Sequence, residues 1–249
     1  MGLKAYRGSS GRVIVWVALI AAFAGVVAGY RTCSKPKDSV VSAPGYYSAV
    51  IDLKRGGYRV RPALARMNPN ETFDTLVHRL KPYAAITGTY FGTDHRPVGD
   101  IVIDGKVVCR GGQRQGIGFT SSGSIRFLER IGHSRIHWRG CDAGVACGPR
   151  LIRNGKIDIN VRRDGFRSGA ATLQATRCAA GATRDGKLVL LAVEDRITLQ
   201  KLAETMRKLG AVDAINLDGG ALCGFYLNRR ILAEPFVPVS NVIAVYKAK

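Results

Sequence analysis

Two residues of this 249-residue chain carry the chemistry that its pattern could use, Asp218 and Arg177. Asp218 follows the apolar run Ala214-Ile215-Asn216-Leu217 and precedes Gly219-Gly220. A buried strand ending in Asp-Gly-Gly sets a carboxylate at a sheet edge, and two residues without Cβ let a ligand come close to the backbone. The same pattern also fits a hairpin turn whose aspartate only bonds nearby backbone. Arg177 lies in Thr176-Arg177-Cys178-Ala179-Ala180-Gly181, where small apolar neighbours indicate a buried strand. Its planar guanidinium matches two phosphate oxygens and stays charged at any relevant pH; a surface arginine on a basic protein is the alternative. A second carboxylate is not fixed: Glu194, Asp195 and Asp100 are candidates, each equally readable as a surface or turn residue.

Nucleophilic cysteine chemistry has little support. Six cysteines (33, 109, 141, 147, 178, 223) include no CxxC pair, and no motif around His78, His95, His133 or His137 nominates a partner base. Neither a metal nor a cofactor is expected. Cys141 and Cys147 could close a small surface loop in an oxidising compartment, and free buried thiols are the equally ordinary reading.

The elements that must hold Asp218 and Arg177 read as mostly antiparallel, mixed sheet with few helices, an α+β class in one domain. Tyr46 to Leu53 is a first strand. Thr72 to Leu80 places Phe73, Leu76, Val77 and Leu80 on one helical face, and Ala84 to Ile86 leads into the loop Thr87-Gly88-Thr89-Tyr90-Phe91-Gly92. Short strands follow to residue 193, with hairpin signals at Asp104-Gly105, Asn154-Gly155 and Asp185-Gly186. Thr198 caps a helix to Leu209 with an apolar stripe of Leu199, Leu202, Ala203, Met206 and Leu209, and Gly210 ends it. Phe225 to Leu232 and Val242 to Tyr246 read as closing strands.

Four ordered blocks across most of residues 46–249 resemble the phosphodiester glycosidase family, whose members hydrolyse a sugar joined to a phosphate and include bacterial exopolysaccharide-associated proteins. They are Ile86 to Phe91 with Arg96-Pro97-Val98-Gly99 and Ile103 to Lys106; Gly148 to Lys156; Thr176 to Gly181; and the helix from Thr198 leading to Leu209-Gly210-Ala211 and Ala214 to Gly220. The resemblance implies Asp218 and Arg177 as catalytic candidates, and Glu194 is taken beside them as the candidate second carboxylate. Thr87, Gly88, Tyr90, Phe91, Arg150, Gly219 and Gly220 are the implied binders of a carbohydrate or sugar-phosphate substrate. Phosphate is already a good leaving group, so one carboxylate to stabilise or attack the sugar cation, with an arginine clamp, could meet much of the demand. The sequence departs from the family where its loop Asn is Thr87, its second loop Gly is Thr89, and the Gly-Ser after Asp-Gly-Gly is Ala221-Leu222. Those departures favour a rival reading, a non-catalytic protein that binds or assembles an anionic glycan on the same fold.

The net charge of +20 suits polyanions such as lipid head groups or anionic envelope polymers. No aromatic-interleaved basic stripe or nucleic-acid motif is present, so nucleic acid is not an expected partner. Val13 to Gly29 is uncharged and apolar between Arg12 and Arg31. Residues 13–30 are therefore expected to be a transmembrane or signal-anchor segment after a basic 1–12 stretch, with 31–45 a linker and 46–249 the extracytoplasmic domain. Cleavage after Ala28, giving a soluble exported form, is the alternative.

Overall fold

The computed structural model describes residues 39–43, 45–55, 57–66 and 71–247. The expected membrane segment at 13–30 lies outside these residues, and among the described residues no helix is long and apolar enough to cross a membrane. In chain order the strands are β1 (Ser39–Ala43), β2 (Tyr46–Ile51), β3 (Tyr58–Leu64), β4 (Ala84–Thr87), β5 (Ile101–Ile103), β6 (Lys106–Cys109), β7 (Gln115–Phe119), β8 (Ile125–Glu129), β9 (Ala143–Cys147), β10 (Arg150–Arg153), β11 (Lys156–Ile157), β12 (Ala175–Thr183), β13 (Leu188–Ile197), β14 (Ala211–Leu217), β15 (Phe225–Leu227), β16 (Arg230–Ala233) and β17 (Asn241–Lys247); the helices are α1 (Phe73–Leu80) and α2 (Leu199–Lys208).

Three sheets form, ordered β1-β2-β13-β12-β14-β10-β11, β16-β15-β4-β17-β3 and β6-β5-β9-β7-β8. Every ladder between named strands is antiparallel, and with two helices this is the mostly antiparallel α+β class that the sequence pattern leads one to expect. Alternation along the strands explains the layering. Leu188, Leu190 and Ala192 of β13 join a core shared by all three sheets, with Ile86, Ile117, Val145, Ile215, Leu217 and Phe225. Val189, Leu191 and Val193 point the other way, onto Leu199, Leu202, Ala203 and Met206 of α2. A strand buried on both faces must read as a continuous apolar run, and Leu188 to Val193 does. Helix α1 covers the outer face of the second sheet through Phe73, Leu76 and Val77.

Among the described residues no helix covers the third sheet; Ile136, Trp138 and Cys141 cover it instead. This is why β7 and β9 carry glycines: a Cβ at Gly116 or Gly144 would come within 2.7 and 2.4 Å of the Trp138 ring. Helix ends follow the expected chemistry, with Thr72 and Thr198 hydroxyls accepting from Thr75 N and Lys201 N.

The structure departs from the sequence reading in two strands. Residues 39–43, inside the expected linker, form β1 against β2. The single strand expected over Phe225 to Leu232 is a hairpin, β15 and β16, turned by Asn228 and Arg229 at φ 46° and 67°. Two left-handed residues without a glycine are a weak local signal, so the turn was not legible. The Asp104-Gly105 and Asn154-Gly155 turns have both φ values positive, as that hairpin type requires.

Candidate active site

Strands β12 and β14 pair as far as Cys178 opposite Leu217. The next residues outward are Arg177 and Asp218, so the two chemistry-bearing side chains leave one end of the seven-stranded sheet together. The loop after β4, in the second sheet, reaches this point through a backbone bond from Asp218 N to Gly88 O at 2.9 Å. Gly219 packs so tightly that a Cβ there would lie 2.6 Å from Thr176 O and 3.2 Å from Arg177 Cα. Gly220 has φ 63° and faces open space, and its carbonyl accepts from Thr176 Oγ1. Gly88 abuts Asn241, whose Oδ1 would be 2.1 Å from an added Cβ.

Further bonds fix the loop and the turn. Asn241 accepts from Thr89 N at 2.8 Å and donates to Thr89 O at 2.9 Å. Thr87 Oγ1 donates to Leu222 O at 2.6 Å and accepts from Gly224 N at 3.0 Å. The Thr87 hydroxyl is thus committed to backbone and does not reach toward a ligand, which corrects its expected role as a substrate contact. Leu222 packs into the core beneath α1, so this departure from the family pattern is an added core contact.

Asp218 is 6% exposed and its carboxyl is pushed up to about 7, because burial penalises the anion more than the Gly219 amide stabilises it. Arg177 is 9% exposed; Nε donates to Ile197 O at 3.3 Å and Nη2 to Leu173 O. Burial lowers the guanidinium from its usual value, yet no carboxylate pairs with it among the described residues. Arg177 and Asp218 do not neutralise each other. Between them electrostatically stands Tyr90, whose phenol is held well above its usual range by burial first, then by its neighbours Cys147 and Asp218, while Arg177 acts the other way. Tyr90 donates to Gly148 O at 2.7 Å and accepts from Asn216 Nδ2 at 2.6 Å.

Asn216 was missed as a site residue although it sits within the fourth block. Its Nδ2 also meets Gly148 O and Leu217 O, and its buried Oδ1 has no hydrogen-bond partner among the described residues. Asn241 carried no sequence signal at all, standing at the start of an ordinary apolar strand. Cys147 is a third addition: buried beneath Gly88 O, its thiol is pushed up to about 12 by burial and then by Asp218, which leaves it protonated and unreactive.

Other expected residues are placed elsewhere. Arg150 is buried, paired with Asp213, bonded to Ile152 O and stacked 4.2 Å over the Phe127 ring, so its charge is consumed internally and the expectation of substrate binding is corrected. Glu194 is exposed in the irregular stretch of β13 opposite Thr176, accepts from Tyr47 at 3.1 Å, and makes no hydrogen bond to Asp218, Arg177 or Tyr90. Asp100 is a structural anchor for Trp138 Nε1 and Gly111 N, both at 2.9 Å. Asp195 is exposed beside Gly45. Phe91 bridges to Pro97 and stacks on His95 at 5.2 Å, flanking the loop without entering the buried group. Cys141 and Cys147 are buried free thiols and close no surface loop.

Among the described residues no cluster of three or more histidine, cysteine, aspartate or glutamate side chains could hold a metal ion. The site therefore offers a buried carboxyl, a buried unpaired guanidinium and a phenol around one turn of backbone, a set suited to a ligand that carries both hydroxyls and an anion.

Solved structures with the same fold include a hypothetical protein from Synechocystis, with a TM-score of 0.70 and 17% identity over 84% of this chain and 61% of that one. Another is the zebrafish N-acetylglucosamine-1-phosphodiester alpha-N-acetylglucosaminidase catalytic domain, auto-inhibited by its pro-peptide, at a TM-score of 0.66 and 21% identity over 84% and 81%. The mouse enzyme of that name is 33% identical over 99 residues, or 34% of this chain and 19% of the mouse protein, and the human enzyme is 35% identical over the same length. The chain thus spans about a fifth of the length of the curated relatives it matches. The model of the phosphodiester glycosidase family matches residues 81–246, a stretch that takes in the loop after β4, Arg177 and the Asp218 turn. The chain belongs to the phosphodiester glycosidase family.

Proposed function

We propose that this chain hydrolyses a glycosyl phosphodiester, with Arg177 holding the phosphate and Asp218 acting on the sugar. The observation that carries the reading is the pair of buried, oppositely charged groups that leave each other unpaired. A buried guanidinium without a carboxylate costs several kcal/mol unless an anion arrives to meet it. The diester phosphate is such an anion, and Arg177, braced on backbone through Nε and Nη2, has no bond from its other terminal nitrogen among the described residues. Asp218, half ionised near neutrality, is the carboxylate that stabilises or attacks the forming oxocarbenium ion. Tyr90, kept protonated, spends its proton on Gly148 O and serves as a neutral wall, its ring braced edge-on by Phe166 at 5.8 Å. The open space at Gly220 gives the sugar its approach to the backbone.

N-acetylglucosamine joined through its anomeric carbon to a phosphodiester is the first substrate to assay, because the curated relatives are named for that linkage. We further propose that the chain works outside the cytoplasm, tethered through residues 13–30, on an anionic envelope polymer or exopolysaccharide. Its net charge of +20 supports an anionic partner. The deciding experiment is hydrolysis of the diester by wild type, Asp218→Asn and Arg177→Lys. Turnover by wild type that Asp218→Asn lacks supports the enzyme; binding of anionic glycan without turnover across a broad substrate panel would instead establish the binding-protein reading.

A further inference from the structure

Cys178 and Cys223 lie behind the Asp218 turn with their sulfurs 3.3 Å apart. Cys178 is where the pairing of β12 with β14 ends, and Cys223 follows the helical turn Gly220–Leu222. Both are buried in the core shared by the three sheets. Their other contacts are long: Cys178 to Gly224 O at 4.0 Å, and Cys223 to Arg177 O and Val193 O at 3.6 and 3.8 Å. No other two described cysteines meet in this way; Cys147 faces Gly88 O, and Cys141 packs where Gly118 leaves room. Closing the sulfur contact to a bond of about 2.05 Å takes a movement of little more than 1 Å, within what two cysteine side chains supply by rotation.

We propose that Cys178 and Cys223 are a disulfide-forming pair that staples the Asp-Gly-Gly turn to β12 beside Arg177. The oxidant is a disulfide of the thiol-exchange class, a small-molecule disulfide or that of a folding catalyst. One cysteine, as thiolate, attacks a sulfur of the oxidant and releases one thiol. The second thiolate attacks the resulting mixed disulfide and releases the other, so the protein loses two hydrogens and the oxidant gains them. Burial raises the Cys178 thiol well above its usual range and shields both sulfurs, so exchange occurs during folding or from an opened state. The ring closed by the bond runs from residue 178 to 223 and contains α2, β14 and Asp218. Because both sulfurs sit on the core side, the bond leaves the site open and acts on stability. The inference does not depend on the proposed hydrolysis.

The test is refolding of the full chain in a mixture of oxidised and reduced glutathione, and separately in excess dithiothreitol, followed by alkylation and trypsin without reductant. Cleavage after Arg177, Arg184, Lys208 and Arg229 isolates peptides 178–184 and 209–229. The expected result is one linked species of these two peptides, two hydrogens lighter than their sum, from the glutathione sample alone. The melting temperature should be higher by roughly 10 °C in the oxidised protein, as a loop of this length implies. Cys178→Ser and Cys223→Ser should each abolish that difference, and Cys141→Ser should keep it. Separate, fully alkylated peptides in both samples, or Cys178 linked to a different cysteine, would overturn the proposal. If a serine variant does not fold, the wild-type peptide map alone decides.

Discussion

Replacing Asp218 by Asn should stabilise the protein at alkaline pH while removing the proposed hydrolysis. The folded carboxyl sits at about 7 against an ordinary value of 3.8. Between those values the unfolded chain has released its proton and the folded chain still holds it. The folded state therefore binds one more proton, and stability falls by about 1.36 kcal/mol for each pH unit gained across that window. Below about 3.8 the contribution is fully present, and above about 7 it is fully lost, a total of roughly 4 kcal/mol. Water reaching the carboxylate would reduce this, so the figure is a ceiling. Asparagine keeps the acceptor for Gly219 N and cannot ionise. The difference between variant and wild type should then grow in favour of the variant from pH 5 to 8 and level off beyond. Urea unfolding of both proteins at pH 5, 6, 7 and 8 measures it, with the pH dependence rather than the absolute offset as the readout. Parallel stability curves over that range would refute the burial argument and, with it, the view that the site holds a strained charge.

Activity on a sugar phosphodiester should depend on the ionised form, so kcat/KM should rise about tenfold per unit below pH 7 and flatten above, and a flat profile from pH 5 to 8 would count against Asp218. Asp218→Asn should lower kcat by at least about a hundredfold with KM little changed, read by steady-state kinetics. Arg177→Lys should raise KM and lower kcat on the diester but leave an uncharged aryl glycoside nearly unaffected, and equal losses on both would show that the guanidinium is only structural. Thr87→Val should leave Leu222 O and Gly224 N unpaired and destabilise by about 2 kcal/mol, or several degrees of melting temperature by calorimetry. A reporter active only outside the cytoplasm, fused after Lys249, should be active; silence there with activity of a cytoplasmic reporter would reverse the proposed orientation.

Much of this site was legible because its signals are local. The Asp-Gly-Gly after an apolar run, the small residues around Arg177 and the capped helix from Thr198 each follow from short-range rules that the structure obeys. What sequence could not supply was partnership. Arg150 and Arg177 look alike as arginines near buried strands, yet Asp213 and Phe127 neutralise and cover one, and among the described residues no carboxylate pairs with the other. Thr87 looked like a ligand contact until its hydroxyl was found on Leu222 O and Gly224 N, residues about 135 positions away. Asn241 and the Tyr90 to Asn216 bond span 152 and 126 positions, distances over which no spacing rule operates. The Asn228-Arg229 turn failed for a different reason: Asn tolerates a left-handed backbone, but Arg gives no such signal and stands where a glycine would usually complete the pair.

The bond from Asp218 N to Gly88 O joins two sheets that share no strand, and so makes one amide a gauge of how firmly they are held together. Its proton can exchange with solvent deuterium only when the sheets part at this seam, so its exchange rate measures the free energy of that local opening. A ligand spanning the loop and the turn would slow it without touching it. Through the same seam, Thr87 of β4 and Asn241 of β17 hold the loop on which the Asp218 amide rests, so substitutions in those two strands should change that exchange rate without altering Asp218 or Arg177.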